Sequence, residues 1–263
     1  MDIVVCVKRV PDTAEAELSI DKSGKDVRKD DLVFDINEWD NYAVEEAILL
    51  KEKLGGTVTA VTLGSEDDEE VLRRCLALGA DNAIRLDDPA FSGSDGHSTA
   101  IALAAAVKAM PYDLILTGAQ ASDDGYGQVG ATIAEILGIP HATLVTNVEV
   151  EGNVVRARRE LEAGLEEIVE VKLPAVLTIQ TGINEPRYVS IAGIRRVARR
   201  EIPTKGVGDL GLRPEEVGSA GARIEVEGMS LPEASQKGEI LQGSVDSVTE
   251  QLVGIFASKG WLG

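Results

Sequence analysis

Histidine is almost missing from these 263 residues, with only His97 and His141 present. A zinc site or a catalytic histidine therefore has few places to live, which weakens most hydrolase readings. Cysteine is as scarce: Cys6 and Cys75 form neither a metal-ligand spacing nor a disulfide framework, and two free thiols suit a reducing compartment. No apolar run approaches the ~20 residues of a membrane helix. Met1 to Arg9 enters an apolar stretch with no charged leader and cleavage site, so a cytoplasmic location is expected. Positive charge is also short. Against 45 Asp and Glu stand 26 Lys and Arg, a net charge of −19 that repels phosphate backbones and anionic lipid heads. Neither nucleic-acid binding nor membrane insertion is expected.

What the chain does have is apolar residues, 44% of the total, enough for a sizeable core. Its length suits one large α/β domain with an appendage. Residues 1–150 alternate short β-branched runs with helical patterns, the signature of βαβ units and a parallel sheet. Strands are expected over Ile3–Lys8, Val58–Leu63, Asn82–Leu86, Asp113–Thr117 and Ala142–Val148. Helices are expected over Asn41–Leu54, Asp67–Leu78, Ser98–Met110 and Val129–Leu137. Ser65 with Asp68 reads as a capping box, and Gly55, Gly79 and Gly138 read as helix stops. Cys75, between Leu72 and Leu76, reads as a small packed hydrophobe. From Val148 to Thr181 the pattern becomes extended. Gly152-Asn153 signals a two-residue turn and Pro174 breaks the later run, so antiparallel strands are expected to join the sheet. Beyond Thr181, prolines and glycines scatter until a last amphipathic stretch, Ile240–Phe256. The expected division is a nucleotide-binding α/β domain over 1–182 and, over 183–263, a loop and arm that pack on a partner.

The richest segment is YDLILTGAQASDDGYGQVGATIAEILGIP, Tyr112–Pro140. A buried strand ends at Gly118, a polar loop with Gly125 and Gly127 follows, and Gln128–Gly130 opens a helix. Such an edge offers backbone N–H groups and a positive helix end, where phosphates bind in open α/β sheets. Gly125, Gly127 and Gly130 would let a nucleotide approach the backbone. Asp123 and Asp124 suit helix capping or bonds from ribose hydroxyls or an adenine amino group. The spacing is neither the dinucleotide fingerprint nor the P-loop, and an ordinary strand-to-helix connection is the competing account.

GAQASDDGYGQVG resembles the AMP-binding loop of electron-transfer flavoprotein beta subunits, which runs Gly, one residue, Gln-Ala, an Asp pair, then Gln, one residue, Gly. VCVKRVPDT, INEWDNYAVEEA, ALGAD and INEPRY resemble further blocks of that family in the same order, and the likeness spans roughly residues 1–212. It implies a Rossmann-like adenine-nucleotide fold, mostly parallel, with added antiparallel strands and a C-terminal arm. It also implies a heterodimer with an alpha subunit that holds most of a redox-active FAD. Electrons would pass from acyl-CoA or related flavin dehydrogenases to a quinone oxidoreductase or another acceptor, so the chain is half of an electron carrier rather than a bond-making enzyme. By the resemblance, AMP would lie against Cys6, Asn37, Asp40, Leu63 and the loop residues Gln120, Ala121, Ser122, Asp123, Gly125, Tyr126, Gly127, Gln128, Val129 and Gly130. The recognition segment for dehydrogenases would be Ile183, Asn184, Glu185, Pro186, Arg187, Tyr188 and Ile191, with Ile183 an exposed anchor in place of the family's leucine.

Two alternatives stay open. FSGSDGHSTA, Phe91–Ala100, and Pro11-Asp12-Thr13 resemble electron-bifurcating members that oxidise NADH and hold a second FAD where ordinary carriers hold AMP; Asp95, His97 and Thr99 would then face that flavin. Gly125-Tyr126-Gly127 departs from both patterns, and Tyr126 suits either stacking on a flat ring or capping the loop. An ATP-hydrolysing relative of the fold is the remote reading, since VCVKRV runs into PDTAEAE rather than a glycine and serine-rich phosphate loop. From Arg187 to Lys205 six basic residues face Glu201 alone, a +5 island suited to steering an acidic partner or offsetting local repulsion.

Overall fold

Residues 1–13, 16–232, 238 and 240–262 are described by the computed structural model; Ala14 and Glu15 of the PDTAEAE segment lie outside them. Along β1 (Asp2–Cys6) side chains alternate between two apolar clusters, Ile3 and Val5 entering one, Val4 and Cys6 the other. Helices on both faces make this double burial stable, the usual condition of a parallel sheet. The short strands β2 (Arg9–Pro11) and β3 (Phe34–Ile36) pair antiparallel, and α1 (Glu38–Leu54), β4 (Thr57–Leu63), α2 (Glu69–Leu78), β5 (Asn82–Leu86), α3 (Gly96–Lys108), β6 (Leu114–Gly118) and α4 (Val129–Leu137) follow. The expected alternation is present, and β5 and α4 have the bounds read from the sequence. Gly55, Gly79 and Gly138 end their helices with φ of 75°, 140° and 65°.

The cap expected at Ser65 is not made. Its hydroxyl donates to Asp68 Oδ2 at 3.0 Å, and a single 3₁₀ turn, Glu66–Asp68, leads into α2. A capping box instead opens α3, where Asp95 Oδ1 accepts the Ser98 N–H at 2.8 Å and Ser98 Oγ accepts the Asp95 N–H at 3.0 Å. Serine at the third helical position replaces the usual Glu or Gln, which hides the pattern from a sequence scan.

The antiparallel strands are β7 (His141–Glu151), β8 (Val154–Glu160) and β9 (Glu166–Lys172), with Gly152 at φ 60° in the first turn. The next strand, β10 (Ala175–Ile179), is no antiparallel addition. It enters the sheet between β6 and β7 and runs parallel to both, in the order β11-β5-β4-β1-β6-β10-β7-β8-β9. AVLTI is buried at every position, the pattern of a central parallel strand rather than of a half-exposed one. Beyond it come α5 (Ile191–Val197), β11 (Thr204–Lys205) parallel to β5, α6 (Gly218–Gly221) and α7 (Val245–Ser258). Val197, Ile202, Val207 and Val217 are buried on the sheet domain, whereas no residue of α7 is. No helix among the described residues is long and apolar enough to cross a membrane.

From β1 the chain steps to β4 and β5 on one side, then crosses to β6 on the other. The carboxyl ends of β1 and β6 therefore form the topological switch point, where ligands of such sheets collect.

Leu177 is fully buried on β10, and Ile168 is 59% exposed on the edge strand β9. Urea melts should show Leu177→Ala costing about 2–5 kcal/mol and Ile168→Ala less than about 1. Equal costs would contradict a central β10.

Candidate functional site

One carboxylate joins the two strand ends at the switch point. Asp40, in the first turn of α1, accepts the Lys8 N–H on Oδ2 at 2.8 Å and the Gly118 N–H on Oδ1 at 2.9 Å. Position 118 must be glycine for this approach, because a Cβ there would stand 2.7 Å from Trp39 Cβ. Asn37, at the N-cap, binds the loop beyond: its Nδ2 donates to Gln120 O at 2.8 Å and its Oδ1 accepts the Ser122 N–H at 3.1 Å. Both side chains are buried, which their complete partnering sustains. Desolvation pushes the Asp40 carboxyl up to about 7, against the opposing pull of the Lys8 and Gly118 N–H groups and Asn37. Cys6, buried at the tip of β1, is pushed up to about 12 by desolvation and then by Asp40, so it is a packed thiol rather than a nucleophile. Leu63 ends β4, half-buried on the same apolar cluster as Cys6.

Past Gly118 the chain turns outward. Asp123 Oδ1 accepts the Asp124 N–H at 3.0 Å, Asp124 Oδ1 accepts the Tyr126 N–H at 3.1 Å, and the Gly125 N–H reaches Ala121 O at 2.9 Å. Gly125 and Gly127 hold φ of 64° and 60°, the left-handed region a side chain resists. The aspartates thus build the loop. Tyr126 is 56% exposed on it. Gly130, expected to clear space for a ligand, is buried instead: a Cβ would lie 2.5 Å from Thr117 Oγ1 and Thr178 Cγ2, so its bareness seats α4 on the sheet.

Helix α4 starts with no side-chain cap from Gln128, which leaves the N–H groups of its first turn, beginning at Val129, to the crevice. The Gln128 amide lies against Gly96 of α3, and its Nε2 is buried without a hydrogen-bond partner. An orphaned donor beside an uncapped helix end suits the acceptor oxygens of an anionic, oxygen-rich ligand.

Asp95, His97 and Thr99 sit together in the first turn of α3. The Asp95 carboxylate is fully engaged: Oδ1 caps the helix, and Oδ2 accepts the Arg223 N–H at 2.7 Å and the Ile224 N–H at 3.0 Å. Desolvation opposes it, yet these N–H bonds hold the carboxyl down at about 2. His97 and Thr99 are half-buried.

In the segment that follows β10, Ile183 leans on the core instead of projecting. Asn184 Nδ2 donates to Tyr42 O at 3.2 Å and to Glu46 Oε2 at 3.1 Å, and Arg187 bonds Glu45 and Glu52 of α1 at 2.7–3.1 Å. Glu185 is exposed and Pro186 half-buried. The projecting apolar groups are Tyr188, 99% exposed, Ile191 at 71% and Ile194 at 52%. Of Arg195, Arg196, Arg199 and Arg200 in the basic island, α5 carries only the first two, because the helix ends at Val197.

A family model for the electron transfer flavoprotein domain matches residues 27–210. The chain is 41% identical over 254 residues to electron transfer flavoprotein subunit beta of Thermoanaerobacterium thermosaccharolyticum, covering 96% of each. To the subunit beta of Methylophilus methylotrophus it is 36% identical over 260 residues, 97% of this chain and 98% of the relative. The chain belongs to the electron transfer flavoprotein family, among its beta subunits. It is also 37% identical over 262 residues to the caffeyl-CoA reductase-Etf complex subunit CarD of Acetobacterium woodii, covering 98% of this chain and 99% of that one. Matches of this length run past Leu212, so the last fifty or so residues share the likeness that short motifs could not reveal there.

Within this beta subunit the structure gathers Cys6, Asn37, Asp40, Leu63 and residues 120–130 along one sheet edge. The second group, Asp95 to Thr99, joins them through Gly96 and Gln128. Lys8 escaped the sequence reading although it stands at this edge. Trp39, inside the Asn37 to Asp40 run, donates its indole N–H to Gln180 Oε1 at 2.8 Å, tying α1 to the end of β10.

Asp40→Asn leaves one acceptor oxygen for the two N–H groups, sets an NH2 against the other, and should cost about 1–3 kcal/mol. The native carboxyl holds its proton up to about 7, while an unfolded Asp releases it near 3.9, so the native state binds more protons in between. Its contribution is then complete below about 4 and is lost as pH rises through about 7. Urea melts should show the gap between wild type and Asp40→Asn narrowing from pH 5 to pH 8; a constant gap would mean the carboxylate is ionised throughout.

Proposed function

We propose that this beta subunit holds an adenine nucleotide in the crevice between β1 and β6 and, with an alpha subunit, forms an electron carrier. The observation that carries this reading is the uncapped start of α4 beside the orphaned Gln128 Nε2, at the switch point of the sheet. A phosphate suits the first-turn N–H groups of α4, and the left-handed backbone at Gly125 and Gly127 leaves room beside them. Asn37 and Asp40 act indirectly, by fixing the loop and the strand ends. Cys6 and Leu63 supply apolar contact for a base or ribose face.

The FAD held mainly by the alpha subunit would supply the redox chemistry, taking electrons from acyl-CoA or related flavin dehydrogenases and passing them to a quinone oxidoreductase or another acceptor. This chain's residues bind, orient and exclude water. Tyr188 and Ile191, bare on a segment whose Arg187 is anchored to Glu45 and Glu52, are the apolar groups best placed to meet a dehydrogenase.

A second reading rests on the likeness to CarD, named as part of a caffeyl-CoA reductase-Etf complex. In it a second FAD takes the place of AMP and extends toward His97 and Thr99. Denaturing the purified heterodimer and counting nucleotides separates the two: one FAD and one AMP support the carrier, two FAD and no AMP the bifurcating type, and neither nucleotide refutes the site. Gly127→Val places a β-branched residue at φ 60° with its Cβ 3.1 Å from Ala119 O. That variant should lose most bound nucleotide while unfolding within about 2 kcal/mol of wild type.

A further inference from the structure

Lys8 is held at the crevice through both its main chain and its ammonium. Its N–H donates to Asp40 Oδ2 at 2.8 Å and its carbonyl accepts the Asn37 N–H at 2.9 Å, so the main chain is held from both sides. From that base the ammonium reaches the loop after β6, donating to Asp123 Oδ1 at 2.7 Å and to Asp124 Oδ2 at 3.0 Å. All three side chains are partly exposed, at 43%, 30% and 41%, so these pairs add little to stability. Stability is therefore a poor reason for the arrangement.

The local charge gives a better one. Asp123 and Asp124 accept the N–H groups that shape the loop, so the loop depends on both carboxylates. They also place two negative charges close in sequence to the uncapped start of α4, on a chain of net charge −19. Left uncompensated, two such carboxylates would oppose the approach of a phosphate to α4.

We propose that Lys8 is a positioning residue for the nucleotide: by bonding Asp123 and Asp124 together it pins the loop to the end of β1 and cancels charge that would otherwise repel the phosphate. This inference rests on the nucleotide reading of the crevice. Lys8 acts through the two aspartates, not on the ligand.

The test is calorimetric titration of AMP into the nucleotide-stripped complex with its alpha subunit, at low and high salt. Lys8→Met should weaken AMP binding about tenfold at low salt, with a smaller deficit at high salt. Lys8→Arg should bind within about threefold of wild type, since it keeps the charge and the hydrogen bonds. The triple variant Lys8→Met, Asp123→Asn, Asp124→Asn should recover affinity, because Asn retains the N–H acceptors without the charge. Wild-type affinity in Lys8→Met overturns the role of Lys8 and leaves the nucleotide site intact. A triple variant as weak as Lys8→Met, with unchanged thermal unfolding, overturns charge cancellation. A wild-type complex that takes up neither AMP nor FAD overturns the nucleotide reading, and this inference with it.

Discussion

The site depends on the Asp40 carboxylate between the ends of β1 and β6. At the switch point two neighbouring strands finish together and their chains leave in different directions, so ladder bonding stops and the N–H groups of Lys8 and Gly118 lose partners. A carboxylate has two oxygens and can meet both. Burying it is costly, as the raised pKa records, but leaving two N–H groups bare inside would also be. Because the same first turn of α1 carries Asn37, which holds Gln120 and Ser122, one helix start sets the strand ends and the loop together.

This use of acids qualifies what a net charge of −19 means. Over long range it disfavours polyanions. At the carboxyl edge, however, several acids are already committed: Asp95 to four donors around α3 and the arm, Asp40 to two strand ends, Asp123 and Asp124 to the loop and Lys8. A single phosphate is governed by the donors within a few ångströms, and α4 offers a bare helix start there. The composition that argues against nucleic acid is thus compatible with one bound nucleotide.

The sheet was legible in the sequence where burial has a clean period. β1, β4, β5 and β6 read as apolar runs between helical patterns and appear as such. β10 did not, since AVLTI follows two antiparallel strands and only its lack of alternation marks it as central. Asn37, Asp40 and the loop were expected at the site by resemblance to a family; that one helix start bonds the loop and both strand ends could not be read from the sequence. Gly130 looks like a ligand-clearing glycine in one dimension but is a packing glycine in three, because Thr117 and Thr178 come from strands that sequence distance separates from it. Ile183 likewise looks like a loop tip, yet the pairing of Arg187 with α1 draws its segment down and leaves Tyr188 and Ile191 outside.

The tail divides at about the Asp95 tie. Before it, Val197, Ile202, Val207 and Val217 are buried on the domain and β11 extends the sheet, so residues 183–222 are part of one body. After it, α7 buries none of its side chains, although Val245, Leu252, Val253, Ile255 and Phe256 all stand exposed. A helix with this much apolar surface in water gains little from its own chain and much from a covering surface. The Asp95 carboxylate, bonded at once to the start of α3 and to the N–H groups of Arg223 and Ile224, is the last tie of the tail to the sheet domain that these bonds supply.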